Sequence, residues 1–437
     1  MKLRHLAALA ALITSIAPVQ AKSLVDNHVD SLTNSTKIIA VDGQPSSVEV
    51  DSTVRRRILT FYYDQFRNSQ DPGSPYFIFM SKEHDVMMGI GGAVRMRGYY
   101  DWGGAVPTSS FAPSTILINP DPSADKHLGT TPAGTCLYFR LIGSNTLLGE
   151  YQAYIECNFN GYQGRDFHLK KAYVMFRDWT VGYASSTFCD PAAQFPMVDA
   201  AGPTNKGDYT AVLVRWMPRL TKNLLAAVSV ETPQTFAAVD NTTTKQCSEY
   251  VPNVAAFLQY DWGRQNSQHI RLSALYRTMP YRDLVAGRNH NPSGWAVQLS
   301  SVSHPIDELT LYVTGSYGAG YGGMGGDLAY FNNDLVPLPG KNGEMYAPRS
   351  WGWSLGLQYN IKSNLFVTAY TSQTRFDPQK GIAADAYKYG QLIGCNVFYN
   401  PLPRVQIGAE FNLGKRQDFS HAHRWARRVG LMAQLSF

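Results

Sequence analysis

From residue 85 to the C terminus, apolar and polar side chains alternate in short runs. In "HIRLSALYR" (269–277), Ile270, Leu272, Ala274 and Tyr276 share one phase, and His269, Arg271, Ser273 and Arg277 share the other. The runs "NLLAAVSVE" (223–231), "WGWSLGLQYN" (351–360) and "RVQIGAEFN" (404–412) behave alike. A period of two marks a β-strand whose faces meet different surroundings. Short turns join successive runs at 142–146, 177–178, 218–223, 263–266, 304–307, 361–364 and 400–403. Longer polar stretches rich in Gly, Pro and Asn separate the pairs at 104–133, 161–166, 189–208, 232–251, 281–293, 320–348, 376–386 and 416–423. Seven hairpins, a first strand near 85–103 and a last at 424–437 predict sixteen strands.

Short turns at one end and long loops at the other predict an antiparallel transmembrane β-barrel, and an even count returns the chain to its starting side. Sixteen strands enclose an aqueous channel rather than a filled core. After residue 21 no apolar run approaches the roughly eighteen residues of a spanning helix. A closed barrel needs none. A soluble sandwich would turn its apolar faces inward and leave no place for arginine on the other face of nearly every strand. No fixed-length repeat supports a β-solenoid.

Residues 1–21, "MKLRHLAALAALITSIAPVQA", carry Lys2 and Arg4, then an apolar run, then Val19-Gln20-Ala21. This pattern predicts a signal peptide, a mature chain from about Lys22 and export to a bacterial outer membrane. Residues 22–84 form a separate periplasmic segment. Within it "STVRRRILTFYYDQFRN" (52–68) places Val54, Ile58, Phe61 and Tyr62 near one helical face. That short helix is expected to pack on the barrel; plugging a pore and joining subunits are lesser readings. The barrel is expected over 85–437.

Composition adds little chemistry. The chain has 437 residues, 16% charged, 12% aromatic, with 26 Tyr. Tyr and Trp in such numbers suit a membrane–water interface. The formal charge of +6 falls to +4 when Lys2 and Arg4 leave with the signal. Cys136, Cys157, Cys189, Cys247 and Cys395 show no CxxC spacing. Cys157 and Cys395 read as small fillers in strands. Cys189 and Cys247 lie in loops, where they are free to pair in an oxidising compartment. There is no HExxH, GxSxG or P-loop. "GYGGMGG" (320–326) has no helix behind it to cradle phosphate, and His421 and His423 read as a wet loop. No cofactor or metal is called for, and no enzyme activity is expected.

The stronger signal is basic. Arg95, Arg97, Arg140, Arg215, Arg271, Arg277 and Arg428 occupy the phase opposite the apolar stripe. On the fourth strand, "FHLKKAYVMF", an inward Lys170 leaves Lys171 pointing out unless a bulge intervenes. Inward arginines would make the lumen positive and concentrate small anions. Alternatively they pair with inward Glu156, Glu231 and Glu410 and hold the wall together. The third long loop, 189–208, is expected to fold into the lumen, with Asp190 and Asp199 facing the basic wall; an external loop tip is the other reading.

Residues 170–205, "KKAYVMFRDWTVGYASSTFCDPAAQFPMVDAAGPTN", resemble the DcaP-like trimeric outer-membrane porins, relatives of the phosphate-selective porins. The resemblance continues through "VRWMPRLTKNLLAAVSVETP" (214–233), "GSYGAGYGG" (315–323), "GAEFNLGKRQDF" (408–419) and "RRVGLMAQLSF" (427–437). It implies a homotrimer of sixteen-stranded barrels and passive diffusion of small anionic solutes such as dicarboxylates. The basic wall of the family would map onto Lys170, Arg215, Arg271 and Arg428. Two departures stand out. Residues 22–84 lack sustained heptads, and Gln259 stands where the family usually has an arginine. The terminal alternation of Val429, Leu431, Ala433, Leu435 and Phe437 resembles the signal read by the outer-membrane assembly machinery, with Phe437 at the periplasmic interface.

Together these features predict a diffusion porin narrowed where 189–208 faces Arg95, Arg97, Arg140, Lys170, Arg215 and Arg271. Arg428 is expected near the mouth, on the solute path. A barrel hydrolase and a binding barrel or adhesin with a blocked lumen are the alternatives.

Overall fold

The computed structural model describes residues 37–40, 66–73, 75–81, 86–104, 106–161, 164–263 and 267–437. The expected signal peptide lies outside them. So does most of the helix expected over 52–68, whose last three residues, 66–68, are not helical.

Sixteen strands form the wall: β1 Val86–Trp102, β2 Lys126–Thr131 and Cys136–Asn145, β3 Gly149–Asn160, β4 Asp166–Phe176, β5 Trp179–Ser185, β6 Thr210–Trp216, β7 Leu224–Glu231 and β8 Asn253–Trp262. The second half comprises β9 Gln268–Thr278, β10 Ser293–Ile306, β11 Leu309–Ala319, β12 Arg349–Lys362, β13 Leu365–Asp377, β14 Tyr387–Leu402, β15 Val405–Asp418 and β16 His423–Ser436. Each pairs antiparallel with the next, and β16 pairs with β1 from Arg427↔Trp102 to Ser436↔Ala93, so the barrel closes. Closure leaves no long edge for another chain to join.

The two faces invert the order of a soluble protein. Leu272, Tyr276 and Leu431 stand outward and half-exposed or more, whereas Arg271, Ser273 and Arg277 turn inward and are buried. So much exposed apolar surface is stable only against lipid. Aromatic rings pair at both ends of the wall. Trp179–Trp216 and Tyr260–Trp262 sit at the short-turn end, and Tyr100–Trp102 at the long-loop end. Two such rows are the girdles of a transmembrane barrel.

Two local departures shape the interior. The first long loop ends at residue 125 rather than 133, because Lys126–Thr131 already pairs with β1. Pro132 then interrupts β2, since it has no N–H for the ladder. On β4 the register slips: Glu156 faces Lys171 and Cys157 faces Leu169, leaving Lys170 as the extra residue of a β-bulge. The bulge turns Lys170 and Lys171 to the same side.

A short strand, Phe77–Met80, pairs with β1 at Phe77↔Ile90 to Met80↔Met87, beyond the point where β16 ends. The backbone of Lys37–Ala40 runs parallel to it. Just before it, residues 66–73 and 75–76 form an irregular strap that crosses the lumen. From the long-loop end, residues 186–209 descend into the barrel, and the loop after β11 packs on them. Gly326, at φ +67°, is required there, because a Cβ would lie 2.3 Å from the Thr204 carbonyl oxygen. All five cysteines are free, so Cys189 and Cys247 do not pair. Cys189 is buried among Phe188, Tyr209, Tyr321 and Met324.

Candidate constriction site

Three segments meet inside the barrel: the basic wall, the loop 186–209 and the strap. Strand alternation sets the wall. One face of β9 carries His269, Arg271 and Arg277 inward, and β1 does the same for Arg95 and Arg97.

Asp190 binds the wall on the β9 side. Its carboxylate lies 2.8 Å from His269 Nε2 and 3.4 Å from Arg271 Nη1, and Ser300 Oγ donates to it. Burial opposes its ionisation, but Arg271, His269 and Ser300 outweigh burial and hold the carboxyl well below the usual range. Arg271 also donates to the Cys189 carbonyl at 3.1 Å and to Gln259 Oε1 at 2.6 Å. Gln259 passes the contact on to Asp261 at 2.5 Å.

Asp199 binds the opposite side. It lies 3.1 Å from Arg428 Nη1 and 4.0 Å from Arg97 Nη1, and it accepts from the Phe111 amide at 2.8 Å. The backbone amides of Val198 and Asp199 donate to Glu410 at 2.7 and 2.9 Å. The loop is therefore pinned at both acids.

The remaining basic residues take other partners. Arg277 pairs with Asp334 at 3.1 Å and donates to the Gln234 carbonyl. Arg215 donates to Thr187 Oγ1 at 2.7 Å and to the Ser185 carbonyl, and stacks on the Phe66 ring at 3.8 Å. Arg95 donates to Gln434 at 2.7 Å and to the Gln70 carbonyl at 3.1 Å. Arg140 lies 5.1 Å from the centre of the Tyr154 ring, in a row with Tyr138 and Tyr173. Lys170 and Lys171 converge on Asp71 of the strap, at 2.6 and 3.0 Å.

Arg428 and Arg97 differ sharply. All five N–H donors of Arg428 are engaged, with Asp101, Asp199 and the carbonyls of Thr108 and Ser109. Arg97 is 4% exposed, yet its Nε and Nη2 have no hydrogen-bond partner among the described residues. Among the described residues no group of three or more His, Cys, Asp or Glu is placed to hold a metal.

Several contributors escaped the sequence reading. Asp101 and Asp334 carry no motif. Phe66 and Asp71 lie in a segment without regular period. Lys171 was visible only as a conflict of phase. Of the sequence-picked residues, the loop brings Asp190 to Arg271 and Asp199 to Arg97 and Arg428. The strap gathers Arg95, Lys170 and Arg215.

No family model matches the chain, and no curated protein matches it. Solved structures do. The outer membrane channel DcaP of Acinetobacter baumannii is 21% identical with a TM-score of 0.69, over 82% of this chain and 99% of that one. An anion-selective porin from Comamonas acidovorans is 11% identical with a TM-score of 0.54, over 81% of this chain and 100% of that one. A trimer form of OmpT, an outer membrane protein of Vibrio cholerae, is 10% identical with a TM-score of 0.50, over 81% of this chain and 100% of that one. The chain therefore shares its closed barrel fold with outer-membrane channels.

Proposed function

We propose that the chain is an outer-membrane porin through which small hydrophilic solutes diffuse passively, with a preference for anions such as dicarboxylates. Arg97 carries this reading. A buried guanidinium with two unmet donor nitrogens, Nε and Nη2, is costly. A carboxylate passing between Arg97 and the loop would meet both donors at once, and the planar fork suits that shape. Arg95 beside it adds a second charge on the same face of β1. Across the lumen, Arg215 and Arg271 keep the wall basic. The likeness to the DcaP channel and to an anion-selective porin supports a channel, and the trimer form of OmpT supports a homotrimer. The short turns then face the periplasm and the long loops the exterior.

The strap and the inserted loop favour one other reading, a binding barrel with a blocked lumen. Reversal potentials in planar bilayers under a salt gradient separate the two. Anion-selective steps are expected. Cation-selective steps would overturn the anion preference, and protein that inserts without conducting would favour the blocked barrel.

A further inference from the structure

Lys170 and Lys171 are adjacent in sequence, and an unbroken strand would send them to opposite faces. The bulge opposite Glu156 and Cys157 brings both to the lumen. Two ammonium groups held together repel unless an anion lies between them. Glu156, 2.8 Å from Lys170, neutralises one charge and leaves the other. The remaining charge is met by Asp71, whose two oxygens each take one lysine. Burial opposes ionisation of Asp71, but the lysines outweigh it and hold the carboxyl far below its usual range.

Asp71 is not part of the wall. It belongs to the strap, whose described residues between 66 and 76 make no β-ladder. Other holds on the strap run through a ring and through carbonyls: the Arg215 and Arg271 guanidiniums over the Phe66 ring, Lys171 on the Phe66 carbonyl, Gln70 on the Met197 and Asp199 carbonyls, Arg95 on the Gln70 carbonyl, Tyr138 on the Gly73 carbonyl and Arg404 on the Pro75 carbonyl. The cleft beside Asp71 is lined by Lys171, Arg140, Tyr138, Tyr154 and Tyr173 of the wall and by Arg67, Pro72 and Gly73 of the strap. The wall therefore supplies both lysines, and the strap supplies the anion between them.

We infer that Lys170 and Lys171 form a carboxylate-binding site inside the barrel, that Asp71 of the chain's own strap fills it here, and that a solute carboxylate competes for it. This rests on the porin reading for its solute, a small dicarboxylate. The strap is then a plug keyed to the same chemistry that the pore passes: a solute that takes the lysines releases the strap.

The test is calorimetric titration of the detergent-folded full chain with succinate, run beside bilayer conductance. Asp71→Asn removes the competing charge. A strap that fills the site nine-tenths of the time weakens apparent affinity about tenfold, so this variant should bind succinate about tenfold more tightly. Phe66→Ala removes the ring that Arg215 covers, keeps the backbone carbonyl that accepts from Lys171, and should move affinity the same way. The paired change Lys170→Met and Lys171→Met should weaken succinate below wild type. Inorganic phosphate serves as the second anion; tightening with phosphate alone would replace the carboxylate assignment. Affinity that ignores both Asp71→Asn and Phe66→Ala would overturn the inference. Protein that shows the competition but carries no current would sink the porin reading and leave this one standing.

Discussion

Arg428 on β16 donates to both carboxylate oxygens of Asp101 on β1, at 2.6 and 2.8 Å, and the two are register partners across the seam that closes the barrel. The pair is buried, and the same guanidinium reaches Asp199 of the inserted loop. One side chain thus ties the first strand, the last strand and the loop.

Arg428→Met should therefore cost stability. It leaves buried Asp101 without its cation and Asp199 with only Arg97 at 4.0 Å, a loss of about 3–5 kcal/mol. The urea midpoint of the detergent-folded barrel is the readout. Arg428→Met combined with Asp101→Leu should recover part of the loss, since removing both partners of a buried pair is often nearly neutral. A single variant as stable as wild type would show that the seam does not depend on this clamp.

Arg97→Gln should act on selectivity instead. Its guanidinium makes no contact shorter than 4.0 Å with a described carboxylate, so little of the fold depends on it. One unit charge at about 4 Å attracts a permeating anion and repels a cation by about 1 kcal/mol each in a water-like medium, a difference of about 2 kcal/mol or about thirtyfold in permeability ratio. The anion-to-cation ratio from reversal potentials should fall by that factor, while the urea midpoint moves far less than in Arg428→Met. An unchanged ratio would place the selecting charge elsewhere on the wall.

Asp327 gives the loops a pH dependence. Burial pushes its carboxyl from 3.8 up to about 7, although Tyr387 and Ser114 donate to it and Arg416 is near. Its amide also donates to the Thr204 carbonyl at 2.7 Å, which joins it to the inserted loop. Because the folded value lies above the unfolded one, the native state holds the extra proton between them. The stabilisation is complete below about pH 4 and is lost as pH rises to about 7. Hydrogen exchange of the 322–330 amides should accelerate between pH 5 and 7 by more than the intrinsic base catalysis, and Asp327→Asn should abolish the excess. Equal pH profiles for the two proteins would contradict the assignment.

Much of the wall was legible because lipid simplifies the code. Alternation in "HIRLSALYR" fixed the faces of β9, and turn spacing fixed the strand count. Phase, however, gives a side and not a partner. Phase gives Arg428 its inward face, but phase could not reveal that Asp101, more than three hundred residues earlier, takes up its fork. The same limit hid Asp334 behind Arg277. The conflict between Lys170 and Lys171 was readable, and the bulge resolves it. The strap was not readable, since Phe66 and Asp71 are recognisable only by what they touch. Pro132 sits inside what composition marks as loop, although the six residues before it form a ladder.

Phe437 supplies the last test. Its amide donates to the Gly92 carbonyl and its carbonyl accepts from the Gly92 amide, both at 3.0 Å, so the final residue completes the ladder on β1. Its ring lies where a Gly92 side chain would begin, 3.0 Å from the Cβ position, while the Cys136 carbonyl crowds the same point at 2.3 Å. Glycine at 92 thus keeps room for the terminal aromatic. Deleting Phe437 removes two backbone bonds at one end of the seam and leaves the Arg428–Asp101 clamp untouched. The truncated chain should then reach the membrane in lower amounts, yet show wild-type conductance once inserted. Membrane fractionation and single-channel recording read the two effects separately. Normal membrane levels would refute the assembly role, and altered conductance at reduced levels would mean that the terminus also shapes the pore.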